Sequence, residues 1–130
     1  MLVAKTPIYI ANFPVDMRKS IDGLMLLAET HFSSNVTDGA YYVFGNKIKD
    51  KIKILYWDKN GFALWYKRLE SERFKLIYSD KSEVTLSANQ LQWLLSGLAY
   101  QNLQGHAEKK YDILAWFKPS IHMKATFDSI

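Results

Sequence analysis

Hydrophobic and polar residues alternate through two neighbouring stretches in the middle of the chain, and that period of two predicts a β-hairpin. From Lys51 to Arg68 one set of positions holds Lys51, Lys53, Leu55, Trp57, Phe62, Leu64, Tyr66 and Arg68. The other set holds Ile52, Ile54, Tyr56, Ala63, Trp65 and Lys67. Asp58-Lys59-Asn60-Gly61 lies between the two runs, and Asn-Gly at such a place is a strong turn signal. A loop of two residues and a loop of four differ in register by two, so both give the same faces. Tyr41-Tyr42-Val43-Phe44 predicts the preceding strand of a meander. Pro7 to Ala11 predicts a short strand whose proline takes the tolerated first position.

A period near 3.6 appears twice. Ile21, Leu24, Ala28 and Phe32 fall on one face of a helix that Asp16 would cap, beginning near Met17 and running to about residue 31. Gly23 lies inside it at a cost in propensity. A polar loop over residues 33–40 follows. The second helix, over 87–97, starts at Ser87-Ala88-Asn89-Gln90, a capping box flanked by Leu86 and Leu91 as a hydrophobic staple. Leu91, Leu94, Leu95 and Leu98 form its apolar stripe, and Gly97 is a fitting stop. Together these elements predict an α+β fold: a mainly antiparallel sheet of about four strands with helices packed on one face. No repeat or flexible linker divides the chain. Residues 1–105 read as one domain and 106–130 as a C-terminal tail, in which Tyr111 to Phe117 suits a helix or a strand equally.

Composition adds limits rather than elements. At 130 residues, 48% of them hydrophobic and 23% charged, the chain suits one folded core. No cysteine is present, which excludes disulfides, thiol catalysis and cysteine-ligated zinc. The longest apolar run, Leu24 to Ala28, is too short to cross a bilayer, and Lys5 and Pro7 interrupt the apolar start, so cytoplasm is the expected compartment. The net charge of +4 is unevenly spread. Residues 44–75 hold nine basic and four acidic side chains, while the rest of the chain holds eight and nine. A basic centre points to an anionic partner, with nucleic acid foremost.

Catalytic patterns are sparse. His31, His106 and His122 lack the spacing of a metal helix. Asp50 lacks a lysine two residues on, Asp58 suits a turn, and Glu70 and Glu72 suit surface ion pairs, so no metal-dependent nuclease signature forms. The binding pattern is fuller. Lys47, Lys49, Lys51 and Lys53 alternate through a turn into a strand. Arg68 approaches Lys53 across the hairpin, and Tyr56, Trp57, Phe62, Trp65 and Tyr66 interleave with these charges. Such a set can neutralise phosphates and stack bases. It equally describes aromatics that are core on both sides and lysines that keep an edge strand soluble.

Several runs make a longer pattern: Asp16-Met17-Arg18-Lys19-Ser20, Phe44-Gly45-Asn46, Asp50 through Asp58, Gly61 through Glu70, and Arg73-Phe74. The pattern resembles the accessory protein encoded by the second open reading frame of insertion-sequence family sixty-six, the TnpB type, over roughly residues 7–98. The resemblance implies a non-catalytic role in transposition beside a separate transposase, with DNA and that transposase as partners and no cofactor. The candidate nucleic-acid-binding residues are Arg18, Lys19, Lys47, Lys49, Lys51, Lys53, Lys67, Arg68 and Arg73. Where the family favours arginines after the asparagine, this chain has Lys47, Ile48 and Lys49, and again Lys51, which mostly keep charge but give up bidentate geometry. Two alternatives stand beside this reading: a module that binds protein alone, and a small metal-dependent nuclease.

Overall fold

The computed structural model describes residues 7–80 and 84–100, so the expected tail at 106–130 lies outside the described residues. The fold is α+β. Five strands, β1 (Ile8–Ile10), β2 (Tyr41–Gly45), β3 (Lys51–Asp58), β4 (Gly61–Arg68) and β5 (Val84–Leu86), form one sheet in the order β4-β3-β2-β1-β5. Three of the four pairings are antiparallel; β1 and β2 run parallel. A parallel pair needs a crossover, and α1 (Ile21–His31) supplies it. Strand β5 precedes α2 (Ala88–Leu95) and was not expected from the sequence, because three residues are too few to show alternation. The sheet thus has five strands where the pattern suggested about four.

The hairpin register pairs Lys51 with Arg68, Lys53 with Tyr66, Leu55 with Leu64, and Asp58 with Gly61. The loop is therefore the two-residue form, Lys59-Asn60. The left-handed backbone falls at Lys59, with φ of 58°, and Gly61 opens the return strand. Arg68 faces Lys51 rather than Lys53, and the two faces follow the expected alternation.

Helices on one face of the sheet were the expectation, and the structure corrects it: α1 and α2 lie on opposite faces. Leu24 and Ala28 of α1 pack with Tyr42, Phe44 and Leu55. Leu91, Leu94 and Leu95 of α2 pack with Tyr41, Val43, Ile52, Ile54 and Trp65. The reason is in β3, where Leu55 on one face and Ile52 and Ile54 on the other are all fully buried. A strand that is apolar on both sides needs cover on both.

Helix α1 also begins a turn later than expected. Asp16 does not cap it; its carboxylate accepts the Arg18 backbone N–H at 2.9 Å, and its carbonyl accepts the Lys19 N–H. That local bonding competes with a helical start, and Ser20 becomes the N-cap, without a side-chain capping bond. Helix α2 starts as its motif requires. Gln90 N–H donates to Ser87 Oγ at 3.1 Å and Ser87 N–H to Gln90 Oε1 at 2.9 Å. It ends at Gly97, whose φ of +86° lets Leu98 N–H reach the Trp93 carbonyl and Gly97 N–H the Leu94 carbonyl, a Schellman closure.

Leu55→Ala should lower stability by about 2–5 kcal/mol, as deletion of a fully buried leucine does. Ser87→Ala should cost about 1 kcal/mol through the lost cap. Urea unfolding followed by circular dichroism measures both, and an unchanged midpoint for Leu55→Ala would contradict a core on the α1 side.

Candidate nucleic-acid interface

Three segments meet at the end of the α1-bearing face that lies away from the hairpin loop. Pro14 to Arg18 forms one wall, the β2–β3 turn at Asn46, Lys47 and Ile48 forms a second, and Lys51 and Tyr66 stand up from the sheet between them. They enclose an open cleft of about 530 Å³. Alternation explains the floor: Lys51, Lys53 and Tyr66 share a face with Leu55, but α1 covers only the Leu55 end.

Backbone constraints fix both walls. Val15 N–H donates to the Gly45 carbonyl at 2.8 Å, holding the 14–18 segment along β2. Lys53 Nζ reaches across to the carbonyls of Met17 and Lys19, each at 2.8 Å. The turn is knotted by Asn46, whose Oδ1 accepts the Lys51 N–H at 3.1 Å while its Nδ2 donates to Asp50 at 2.7 Å. The Asn46 side chain, with Lys51 beside it, holds the Asp50 carboxyl below the usual carboxylate range. Lys49 closes the turn with φ of 65°. Behind the turn, the Tyr78 hydroxyl donates to the Asn46 carbonyl at 2.7 Å, and a Cβ on Gly45 would collide with Leu76 and lie 2.8 Å from that hydroxyl. Glycine is required there by close approach.

The nine candidate cations divide by position. Arg18, Lys47 and Lys51 line the cleft. Arg18 is 91% exposed and forks onto Asp16, with bonds of 2.7 to 3.1 Å. The Arg18 hydrogen bonds hold the Asp16 carboxyl down at about 2, so it stays ionised at any ordinary pH. Lys51 bonds both oxygens of Asp50 at 3.2 Å. Lys47 is exposed and, among the described residues, has no ion pair with a carboxylate. Lys53 lies under the rim, bound to carbonyls and 5.6 Å from the Tyr66 ring centre. Arg68 stands across the ladder from Lys51 and pairs with Glu70 at 2.9 Å, which raises its already high pKa.

Like Lys53 and Arg68, the remaining four are not part of the cleft lining. Lys19 is exposed just beyond it. Lys49 lies 5.1 Å from the centre of the Tyr78 ring, which packs against the α2-side core. Lys67 is on the opposite face, where its Nζ donates to the Leu95 carbonyl at 2.9 Å, at the C-terminal end of α2. A cation there complements the helix dipole, and burial lowers its pKa. Arg73 is exposed and donates to the Glu72 carbonyl at 3.1 Å.

Of the five aromatics on the hairpin, Trp65 and Tyr56 are buried, and Trp57 and Phe62 pack edge to face at 5.0 Å. Tyr66 alone of these is exposed, at 45%. Sequence reasoning missed Ile48, 57% exposed on the turn wall, and the part played by Asn46. An apolar residue among lysines was the available signal for the first. The second was available in the Phe44-Gly45-Asn46 motif. Among the described residues no group of three or more histidine, aspartate or glutamate side chains is placed to hold a metal ion. No described helix is long and apolar enough to cross a membrane.

Comparison with known proteins gives a family. The model of the family described as IS66 Orf2 like protein matches residues 6–105. Two similar proteins of Sinorhizobium fredii, both uncharacterized, are y4hO and y4jC. The first is 30% identical over 75% of this chain and 84% of its own length, and the second 28% identical over 79% and 88%. No solved structure matches.

Lys53 and Lys47 should behave differently when removed, since one holds the wall and the other only borders the cleft. Lys53→Ala should cost about 0.5–1.5 kcal/mol, because the half-buried Met17 carbonyl and the exposed Lys19 carbonyl lose a charged donor. It should also speed amide exchange over residues 15–20. Lys47→Ala should change stability by less than about 0.5 kcal/mol. Hydrogen exchange read by mass spectrometry, with thermal unfolding beside it, tests this; equal effects would mean that Lys53 does not hold the wall.

Proposed function

The chain belongs to the IS66 Orf2-like family, and from that premise we propose that it is a non-catalytic accessory protein of transposition that binds DNA at this cleft. The convergence of Arg18, Lys47 and Lys51 around one concavity, with Arg68 beside Lys51, is the observation that carries the reading. These cations come from three separate stretches of sequence, and the fold holds their positions through backbone bonds rather than through the charges themselves. Exposed ion pairs such as Arg18–Asp16 are worth about 0–1 kcal/mol, so a phosphate can displace the carboxylate at little cost. The role is that of a factor working in the cytoplasm beside the transposase of the same element, which supplies the strand chemistry and is the natural protein partner.

Phosphate contacts announce themselves in salt dependence, because each neutralised phosphate releases close to one counterion. The triple variant Arg18→Ala, Lys47→Ala, Lys51→Ala should bind many DNA sequences more weakly than the parent, with the slope of log affinity against log salt flatter by about 0.7–0.9 per lost contact. Lys49→Ala with Arg73→Ala, outside the cleft, should leave the slope near that of the parent. Fluorescence anisotropy across a salt series measures both, with circular dichroism as the folding control. Equal affinities and slopes in a folded triple variant would refute DNA binding at the cleft and favour a module that binds protein alone.

A further inference from the structure

We infer that the cleft takes an unpaired nucleotide of a DNA strand, with its base stacked on Tyr66, rather than the side of a duplex; the inference rests on the DNA-binding reading above. Shape is the first ground. A protein element that reads duplex DNA enters a groove about 12 Å wide, so it must protrude. Here the charges line an open concavity of about 530 Å³, a size that suits a single extended nucleotide, and present no protruding element to enter a groove.

The chemistry of the walls is the second ground. The Tyr66 ring is 45% exposed, and Lys53, itself fixed by two carbonyls, stands 5.6 Å from its centre. The ring is therefore restrained before any ligand arrives. Ile48, 57% exposed on the turn, gives the cleft a second apolar surface, and the lining cations are Arg18, Lys47 and Lys51. An aromatic platform with cations beside it is the arrangement that binds single strands, because every base has a π-face while the backbone is tracked by charge. A duplex backbone would use the lysines and leave Tyr66 and Ile48 idle.

The test compares a short single-stranded oligonucleotide with a blunt duplex of the same sequence, each labelled for anisotropy, on the full chain. The single strand should bind roughly ten-fold tighter than the duplex or better. Tyr66→Ala should weaken single-strand binding roughly ten-fold, with the salt slope unchanged, since stacking releases no counterions. Tyr66→Phe should bind as the parent does. A 2-aminopurine placed in the strand should lose fluorescence on binding through stacking, and keep it with Tyr66→Ala. Equal binding of duplex and single strand, unaffected by Tyr66→Ala, would overturn the inference while leaving the DNA-binding reading intact. Failure to bind either form at low salt would overturn both.

Discussion

Strand β3 leaves neither face of the sheet free to meet solvent. Ile52 and Ile54 point one way and Leu55 the other, and all three are fully buried. Each such side chain is worth about 1.5–3 kcal/mol once covered, so a one-layer arrangement would forfeit stability on one side or the other. The chain meets that requirement by sending α1 over one face as the crossover between parallel β1 and β2, and α2 over the other. The faces on which Lys51, Lys53 and Lys67 lie follow from this division.

The cleft is a by-product of how far α1 reaches. The helix covers Leu55 but starts only at Ile21, because Asp16 bonds locally and Lys53 takes the Met17 and Lys19 carbonyls. The segment before it therefore runs as a wall instead of a helical turn, facing the Asn46–Asp50 turn across the polar ends of β3 and β4. The lysines that look alike in sequence then serve different ends. Lys53 and Lys67 donate to backbone carbonyls on opposite faces, while Lys47 and Lys51 are left at the cleft. Half-buried donors of the first kind stabilise the fold; Lys47 is exposed and contributes little to it, while Lys51 is half-buried against Asp50 with its ammonium at the cleft.

Much of the sheet was legible in the chain before any coordinates. Alternation over residues 51–68 separates Lys51, Lys53 and Arg68 from Lys67, and the capping box at Ser87 marks the start of α2, because both signals are local. The two-faced core was legible as well, since Ile52, Ile54 and Leu55 show it, yet expecting both helices on one face overlooked what those residues demand. The site was legible only as a list of charges. Which cations converge depends on contacts such as Lys53 with Met17, 36 residues apart, and on the parallel pairing of β1 with β2. Periodicity carries no information on either. The delayed start of α1 was hidden for the same reason: Asp16 is a good cap in isolation, and a distant lysine decides against it.

The fold gathers the cleft cations and Tyr66 into the single site proposed for nucleic acid and commits Lys53 and Lys67 to backbone carbonyls. Chemical-shift mapping with an isotope-labelled chain and an unlabelled oligonucleotide tests it directly, because it reports every amide at once. The account predicts that the largest shifts fall on residues 14–18, 46–51 and Tyr66, with little change at Lys67, Leu95 and Arg73. Shifts centred on the α2 face around Lys67, with the cleft unmoved, would contradict it.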